Sequence, residues 1–482
     1  MVGFPLSVPK TLRQLSLITP VNMWPTRVSW WSAVTIAGVL LLCAPALRAQ
    51  ETNRAETFQS FKRALDNQDL GAAERLAKSL VELTELEFGA DSRELVNPLT
   101  NWGTVAFREG RFPEAETRYQ QAIKLLEGQR SGADRLLIRP LHGLGETWLA
   151  TGRATEAVVV LRRAVDLSRN LDGLYNFDQL DLVDALIEGY VALGQTSEAE
   201  REHQFAYRTA ETTYGKNDLR LIEPLDRYAR WYESIGRYST ARGLHARALQ
   251  LAEQLANEQA LVGVPALRGL ARTWFLEAVY GPEVESQSTA PQIAEGAGLI
   301  SQQPSNRFNS DGERALQYAL EIAKERAPEN YRVQGELLTE LGDWYLVSGN
   351  RKATDTYAEA WQTLEKSGEE ALAPLKAPRL LVYRPPPLST ARLQPDNPED
   401  YSLRTVELRC SVDTNGKVMD AQLVDEQATL PEATARSVVF ALRRARYAPR
   451  LEAGLPVTTS DVSFNESLWL RVSKSDPPAA TP

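Results

Sequence analysis

The sequence predicts a mainly α chain: an α-solenoid of antiparallel helix pairs wound as a superhelix, followed by a small α+β domain. Three observations carry this. Gly110 returns as Gly152, Gly194 and Gly236, each 42 residues after the last, and Ala115, Ala157, Ala199 and Ala241 keep the same step, as do Ala122, Ala164, Ala206 and Ala248. Apolar residues ahead of each Gly fall at helical spacing (Trp102, Val105, Ala106; Leu144, Trp148; Leu186, Tyr190; Tyr228, Trp231, Tyr232), and a second helical set follows it. Beyond Tyr401 the spacing drops to two, the period of a strand. A fixed period of this length is the mark of a stacked repeat.

Each unit reads as helix, tight turn, helix. The Gly supplies the positive φ that ends the first helix. The small Ala positions let two helices cross at about 8–10 Å, where a larger side chain would hold them apart. The unit Trp102-Gly103-x-x-Ala106-Phe107-x-x-Gly110-x-Phe112-x-x-Ala115-x-x-x-Tyr119-x-x-Ala122 resembles the tetratricopeptide repeat (TPR), and Leu144, Gly145, Trp148, Gly152, Ala157, Leu161 and Ala164 repeat the match. The usual period of that repeat is about 34 residues. The longer unit here implies lengthened helices, as in the kinesin-light-chain-like subclass.

Residues 1–49 read as an N-terminal extension and signal peptide. Arg27 begins a basic region, Ala33 to Leu42 form an apolar core, and Ala46-Leu47-Arg48-Ala49 offers a cleavage site near Ala49. Met23 sits where such a signal begins, so the start at Met1 or Met23 stays open. Val28 to Leu47 is also long enough for an uncleaved anchor. The first reading places the mature chain in the periplasm; the second anchors it in the inner membrane, facing the periplasm.

The solenoid is expected over residues 53–368. Its first unit is degenerate, with Gln68 where the turn Gly belongs, as terminal repeats often are. A sixth unit opens with Leu270, Ala271 and Trp274 and is interrupted by an insertion at 278–311, rich in Gly, Pro, Ser, Gln and Asn, either disordered or functional. The seventh returns with Leu341-Gly342-Asp343-Trp344-Tyr345 and Gly349. Prolines from Pro374 to Pro398 then predict a linker over 369–400, with Arg379 to Tyr383 as a strand that could dock.

In residues 401–473, Val406, Leu408, Cys410 and Val412 alternate with polar residues, and Asn415-Gly416 marks a hairpin turn before Val418. Pro431 opens a helix carrying Val438, Val439, Leu442 and Ala445, and Val462, Phe464, Leu468, Leu470 and Val472 alternate as a final strand. This order, with Asn415-Gly416-Lys417-Val418, Ala445-Arg446-Tyr447-Ala448-Pro449-Arg450 and Gly454-Leu455-Pro456-Val457, resembles the C-terminal domain of TonB-family proteins. The resemblance implies a domain that takes an extended peptide along a sheet edge, with Asp461 to Val472 as the edge and Val462, Phe464, Leu468 and Leu470 as its residues. Residues 474–482 are expected to be a disordered tail.

Net charge is −9, and removing the four cations of residues 1–49 leaves −13 for the remainder. An acidic body repels nucleic acid and anionic membranes, so neither is an expected partner, except for a membrane reached through an uncleaved N-terminus. No phosphate-cradling loop, His-Glu-x-x-His, Cys-x-x-Cys or Gly-x-Ser-x-Gly occurs, and no cofactor or metal is expected. His203 and His245 share one repeat phase about 10 Å apart, which reads as core packing rather than metal ligation at about 2 Å.

The TPR resemblance places groove-facing side chains two residues either side of the Leu/Trp phase: Thr100, Thr104, His142, Glu146, Asp184, Glu188, Asp226, Arg230, Arg268, Arg272, Thr339 and Asp343. The expected function is a non-catalytic adaptor or scaffold binding protein or peptide partners of the cell envelope, an outer-membrane protein among the options. The alternative is a membrane-anchored, TonB-like energy transducer.

Overall fold

The computed structural model describes residues 53–127, 134–254, 261–281, 310–390, 400–424 and 430–471. The signal or anchor segment, most of the 278–311 insertion and the tail lie outside the described residues. The chain forms two compact units, one ending at Gln129 and one beginning at Arg130.

The first unit holds helices α1 (residues 53–66), α2 (Leu70–Phe88), α3 (Val96–Arg108) and α4 (Phe112–Glu127). Phe61 and Ala64 of α1 pack on Ala73, Ala77 and Leu80 of α2, with Val105 of α3. The α3–α4 pair shows the small-against-large rule directly. A Cβ added at Gly103 would lie 2.8 Å from the Tyr119 ring, so only glycine admits the tyrosine. At Gly110 the demand is different: φ is +74° and no atom would crowd an added Cβ, so glycine is required by backbone sign alone.

Gln68, at that same phase, also takes a positive φ of 58°. A non-glycine residue there carries about 1 kcal/mol of backbone strain, partly offset by its smaller entropy in the unfolded chain. Gln68→Gly is therefore expected to raise stability by about 0.5 kcal/mol in a urea titration. A loss would show that the Gln68 side chain is needed where it stands.

The second unit continues the pairs: α5 (Ile138–Ala150) with α6 (Ala154–Asp172), α7 (Leu180–Ala192) with α8 (Thr196–Tyr214), α9 (Ile222–Ser234) with α10 (Tyr238–Glu253), α11 (Val264–Tyr280) with α12 (Ser310–Arg326), and α13 (Tyr331–Ser348) with α14 (Ala353–Glu365). The first helices α5, α7 and α9 are each 13 residues long, while α6 and α8 reach 19. The extra length of the repeat thus lies in its second helix and in a 3-10 turn ahead of α3, α5, α7 and α9. Asp134 and Asp218 cap two of those turns, accepting from the amides of Leu136 and Arg220. The described helices of the interrupted sixth repeat pack on the next: Leu267, Ala271 and Trp274 share a core with Leu316, Ala319, Leu337 and Trp344.

The C-terminal part of this unit contains β1 (Arg379–Val382), β2 (Tyr401–Val412), β3 (Val418–Leu423), α15 (Glu432–Arg443), β4 (Arg446–Ala448), β5 (Arg450–Glu452), β6 (Leu455–Val457) and β7 (Thr459–Arg471). Strands β3, β2 and β7 form an antiparallel sheet in that order. Alternate β2 residues Val406, Leu408, Cys410 and Val412 meet Val438 and Leu442 of α15. At the hairpin, Asp413 Oδ1 accepts from the amides of Asn415 (2.9 Å) and Lys417 (2.7 Å). A Cβ at Gly416 would sit 1.9 Å from the Tyr447 carbonyl oxygen, so the turn also admits a neighbouring backbone.

Two expectations change. The segment 369–400 is not an extended linker in its described part. Residues Glu369–Leu375 form a 3-10 turn, and β1 pairs with β4, Arg379 opposite Ala448 and Leu380 opposite Tyr447. Leu372 and Leu375 join Tyr357 and Leu364 of α14 with Ala448 and Leu451 in one core. Prolines favour an extended course, but the leucines between them have apolar area to bury, and burial decides where the segment lies.

The second change concerns β7 as an open edge. The amide of Trp469 donates to Leu388 O (2.8 Å), and that of Thr390 to Ser467 O (2.9 Å), so residues 388–390 cover the edge around Leu468. Leu468 is fully buried, while Val462, Phe464 and Leu470 pack against the same core. Their side chains hold the domain together and are not displayed for selecting a partner.

Candidate groove of the repeat array

The first helix of each repeat places its predicted groove residues one turn apart, and in the second unit Asp184, Arg268 and Arg272 meet a charge from an adjacent repeat. In the first unit, Thr104 donates to Thr100 O (3.0 Å) and accepts from Tyr119 Oη (3.3 Å). Thr100 and Thr339 do not face a groove. Both are buried and bond back to Val96 O and Gly335 O within their own helices, because a hydroxyl four residues along a helix reaches that carbonyl.

In the second unit, His142 Nε2 lies 3.7 Å from Glu146 Oε1, one turn along α5. Asp184 of α7 pairs with Arg227 of α9, which also holds Glu223 at 2.8 Å. Asp226 accepts from Arg230 at 2.7 Å, while Glu188 and Arg230 are exposed. Arg272 of α11 donates to Glu233 of α9 at 2.6 and 3.1 Å. Arg268 reaches Glu340 (2.8 Å) and Glu336 (3.3 Å) on α13. The first helices α7, α9, α11 and α13 are thus tied in succession by ion pairs. The acids Asp184 and Asp226 and the arginines Arg268 and Arg272 that follow them are each paired within the array.

Glu233 and Glu340 are the groove residues that sequence reasoning missed. Both lie outside the two-before, two-after rule, and their spacing from the arginines they bind is 39 and 72 residues. Burial alone would raise the Glu233 carboxyl, but hydrogen bonds from His245 and Arg272 outweigh it and leave it below the ordinary range. For Glu340 burial wins and its carboxyl is raised, despite Arg268.

The groove ends on the C-terminal region. Asp343 accepts from Tyr357 Oη (2.7 Å) and from Arg379 Nη2 of β1 (2.8 and 3.0 Å). Tyr280 Oη donates to Tyr383 O (3.1 Å), and Arg384 donates to Val279 O. A cavity of about 190 Å³ remains there, lined by Arg268, Arg272, Glu340, Asp343, Trp344 and Leu381. β1 therefore occupies the end of the groove, and Asp343 is engaged within the chain. Burial pushes its carboxyl up by more than Arg379 pulls it down.

His203 and His245 are both buried, as their shared phase predicts, but their surroundings differ. His245 Nε2 meets Glu233 Oε1 at 2.9 Å. His203 stacks on Tyr228 (5.4 Å, 11°) and its Nε2 has no hydrogen-bond partner. Burial drops its pKa from 6.5 to about 4. Between those values the unfolded chain binds the proton more tightly than the folded one, so this histidine's contribution is complete above about pH 6.5 and fades as pH falls toward 4. The loss is expected to reach about 3 kcal/mol at the lower end, and His203→Phe should flatten that part of a stability-against-pH curve. An unchanged slope would place the protonation elsewhere.

Cys410 is buried within the sheet core, and burial raises its thiol, which keeps it from acting as a thiolate nucleophile at neutral pH. Among the described residues no three His, Cys, Asp or Glu side chains are placed to hold a metal. Among them, too, no helix is long and apolar enough to cross a membrane.

The geometry just described has a counterpart among known families. The family model described as tetratricopeptide repeat matches residues 94–170. Tetratricopeptide repeats are present in this chain. Solved structures similar to it include BtubC (BKLC) from P. vanneervenii, at 17% identity over 57% of this chain and 91% of that one, with a TM-score of 0.36. The nearly identical TPR-like repeats of a kinesin light chain candidate from Podosopora anserina are 16% identical over 42% of this chain and 97% of theirs, with a TM-score of 0.39. The C-terminal part of a TPR repeat-containing protein from Cytophaga hutchinsonii is 11% identical over 66% and 99%, with a TM-score of 0.39. No curated protein matches the chain.

Proposed function

We propose that the chain is a non-catalytic adaptor of the cell envelope that holds a protein or peptide segment along the first helices of its tetratricopeptide repeats. The observation that carries this is the row of groove side chains on α5, α7 and α9, where half-buried Glu146 and exposed Glu188 and Arg230 stand near the Asp184–Arg227 pair between α7 and α9 and the Arg230–Asp226 pair within α9. Paired charges beside the exposed carboxylate of Glu188 suit recognition, because pairing holds their geometry before a partner arrives. The apolar run before Ala49 supports export to the periplasm.

The strand–strand–helix–strand order of residues 401–471 supports a TonB-like C-terminal domain, whose role here is to close the array. A TonB-like energy transducer is the weaker reading, since that mode uses an open sheet edge and residues 388–390 lie along part of β7.

Photo-crosslinking in cells tests the proposal. A photoreactive residue at Glu188 or Arg230 should trap protein partners in the periplasmic fraction. The same residue at Val159, exposed on a second helix, should trap few. Equal trapping at all three positions, or a cytoplasmic distribution, would overturn it.

A further inference from the structure

Between α7 and α9, above α8, lies a cavity of about 880 Å³. That is within the usual range of ligand sites and ample for one long side chain with its flanking backbone. We infer that it receives a lysine or arginine side chain presented by the partner segment lying in the groove.

The argument begins with the charges at the mouth. Asp178, Asp181, Asp184 and Glu223 all line the cavity. Arg227 pairs with Asp184 and Glu223. Arg220 is held by Asp218 at 2.8 Å, with its guanidinium 4.0 Å from the Tyr214 ring. Asp178 and Asp181 are exposed and form no ion pair within the described residues. The cavity therefore keeps two uncompensated negative charges. First-turn acids also suit a helix N-terminus, which accounts for Asp181 and Glu223 by themselves.

His203 is not explained that way. It lines the cavity, only 7% of it is exposed, and its Nε2 lacks a hydrogen-bond partner. At the same phase one repeat later, His245 has Glu233. A buried imidazole nitrogen without a partner is costly unless something completes it. Since burial keeps this ring neutral near pH 7, Nε2 is available as an acceptor in the tautomer protonated at Nδ1.

The walls complete the selection. Phe177 is 43% exposed and meets the Tyr214 ring edge-on at 5.2 Å. The corresponding positions in neighbouring repeats are Arg135 and Leu219, so the aromatic pair is particular to this repeat. Carboxylates plus an imidazole nitrogen form a set of acceptors, and the side chains that bring only donors together with a permanent positive charge are lysine and arginine. Their methylene stems suit aromatic walls, and their charge is attracted to ring faces. An acidic side chain would set acceptor and like charge against Asp178 and Asp181, and a carboxamide could donate but would leave their charge uncompensated.

This inference rests on the groove holding a peptide, and the test separates the two claims. Full-length protein is titrated into a short fluorescein-labelled peptide with two lysines flanking a phenylalanine, and into the same peptide with glutamates for lysines, by fluorescence polarisation. The lysine peptide should bind, and the Asp178→Asn/Asp181→Asn double variant should weaken it at least about tenfold. Asp355→Asn, an exposed site on α14, should leave it unchanged, and thermal melts confirm that all variants are folded. Lysine-peptide binding that survives the double variant, or preference for the glutamate peptide, overturns the cavity assignment and leaves the groove reading standing. Binding of neither peptide, together with no crosslinked partner at Glu188 or Arg230, overturns both.

Discussion

Ala199→Arg is expected to destabilise the protein by about 4 kcal/mol or more, with Glu188→Ala changing stability by less than about 0.5 kcal/mol. Ala199 is fully buried, as are Ala115, Ala157 and Ala241 at the same phase. A larger side chain there has no free volume to enter, since interiors are packed to crystal density. The charge would enter with no carboxylate placed to receive it, and a buried unpaired guanidinium is among the most expensive single changes. Glu188 stands exposed one helix away, where water already solvates its carboxylate. Thermal and urea melts of the two variants, run side by side, check the repeat phase itself. Similar midpoints would mean that the small positions have been assigned to the wrong face.

Asp343→Ala carries the second large effect, a loss of about 3 kcal/mol. The carboxylate bonds both Tyr357 of α14 and Arg379 of β1, joining the last repeat to the C-terminal region. Its removal leaves the Arg379 guanidinium half-buried opposite an apolar side chain and the tyrosine hydroxyl without its acceptor. Arg379→Leu restores part of the loss, since an apolar pair of similar volume avoids an unpaired charge. The double-mutant cycle should return a coupling of about 1–2 kcal/mol. Near-zero coupling would show that β1 is held by its strand pairing and leucines alone. A second readout is functional: β1 released from the groove end should expose Arg268 and Arg272, and a crosslinker placed at Leu381 should stop linking to α13.

Much of this architecture was legible beforehand because it depends on local spacing. Gly110, Gly152, Gly194 and Gly236 all take positive φ. The pairs Gly103–Tyr119 and Gly145–Leu161 meet as small against large. Both facts are written in a sequence period, since each repeat touches mainly its neighbours and the same contact recurs at the same step. The alternation of β2 and the Asp413–Gly416 turn were readable for the same reason.

The site was less legible. Which groove charge pairs with which was hidden, because Asp184 finds Arg227 43 residues away and Arg268 finds Glu340 72 residues away across an interrupted repeat. Thr100 and Thr339 were misplaced because a groove rule based on phase ignores a hydroxyl's option of bonding its own helix. The unpartnered state of His203 also has no sequence signal, since His245 shares its residue type and its phase.

Residue order alone dictated the helix pairs, their turns, their small and large contact positions and the switch to strands after Tyr401, all of which follow from periodicity and from the backbone freedom of glycine. Only the folded arrangement decided that the proline-rich segment packs as β1 against the last repeat, that residues 388–390 cover part of β7, and that one cavity keeps an unsatisfied histidine below two free carboxylates. These outcomes depend on how buried area and charge are shared between segments far apart in the chain, and no local pattern records that balance.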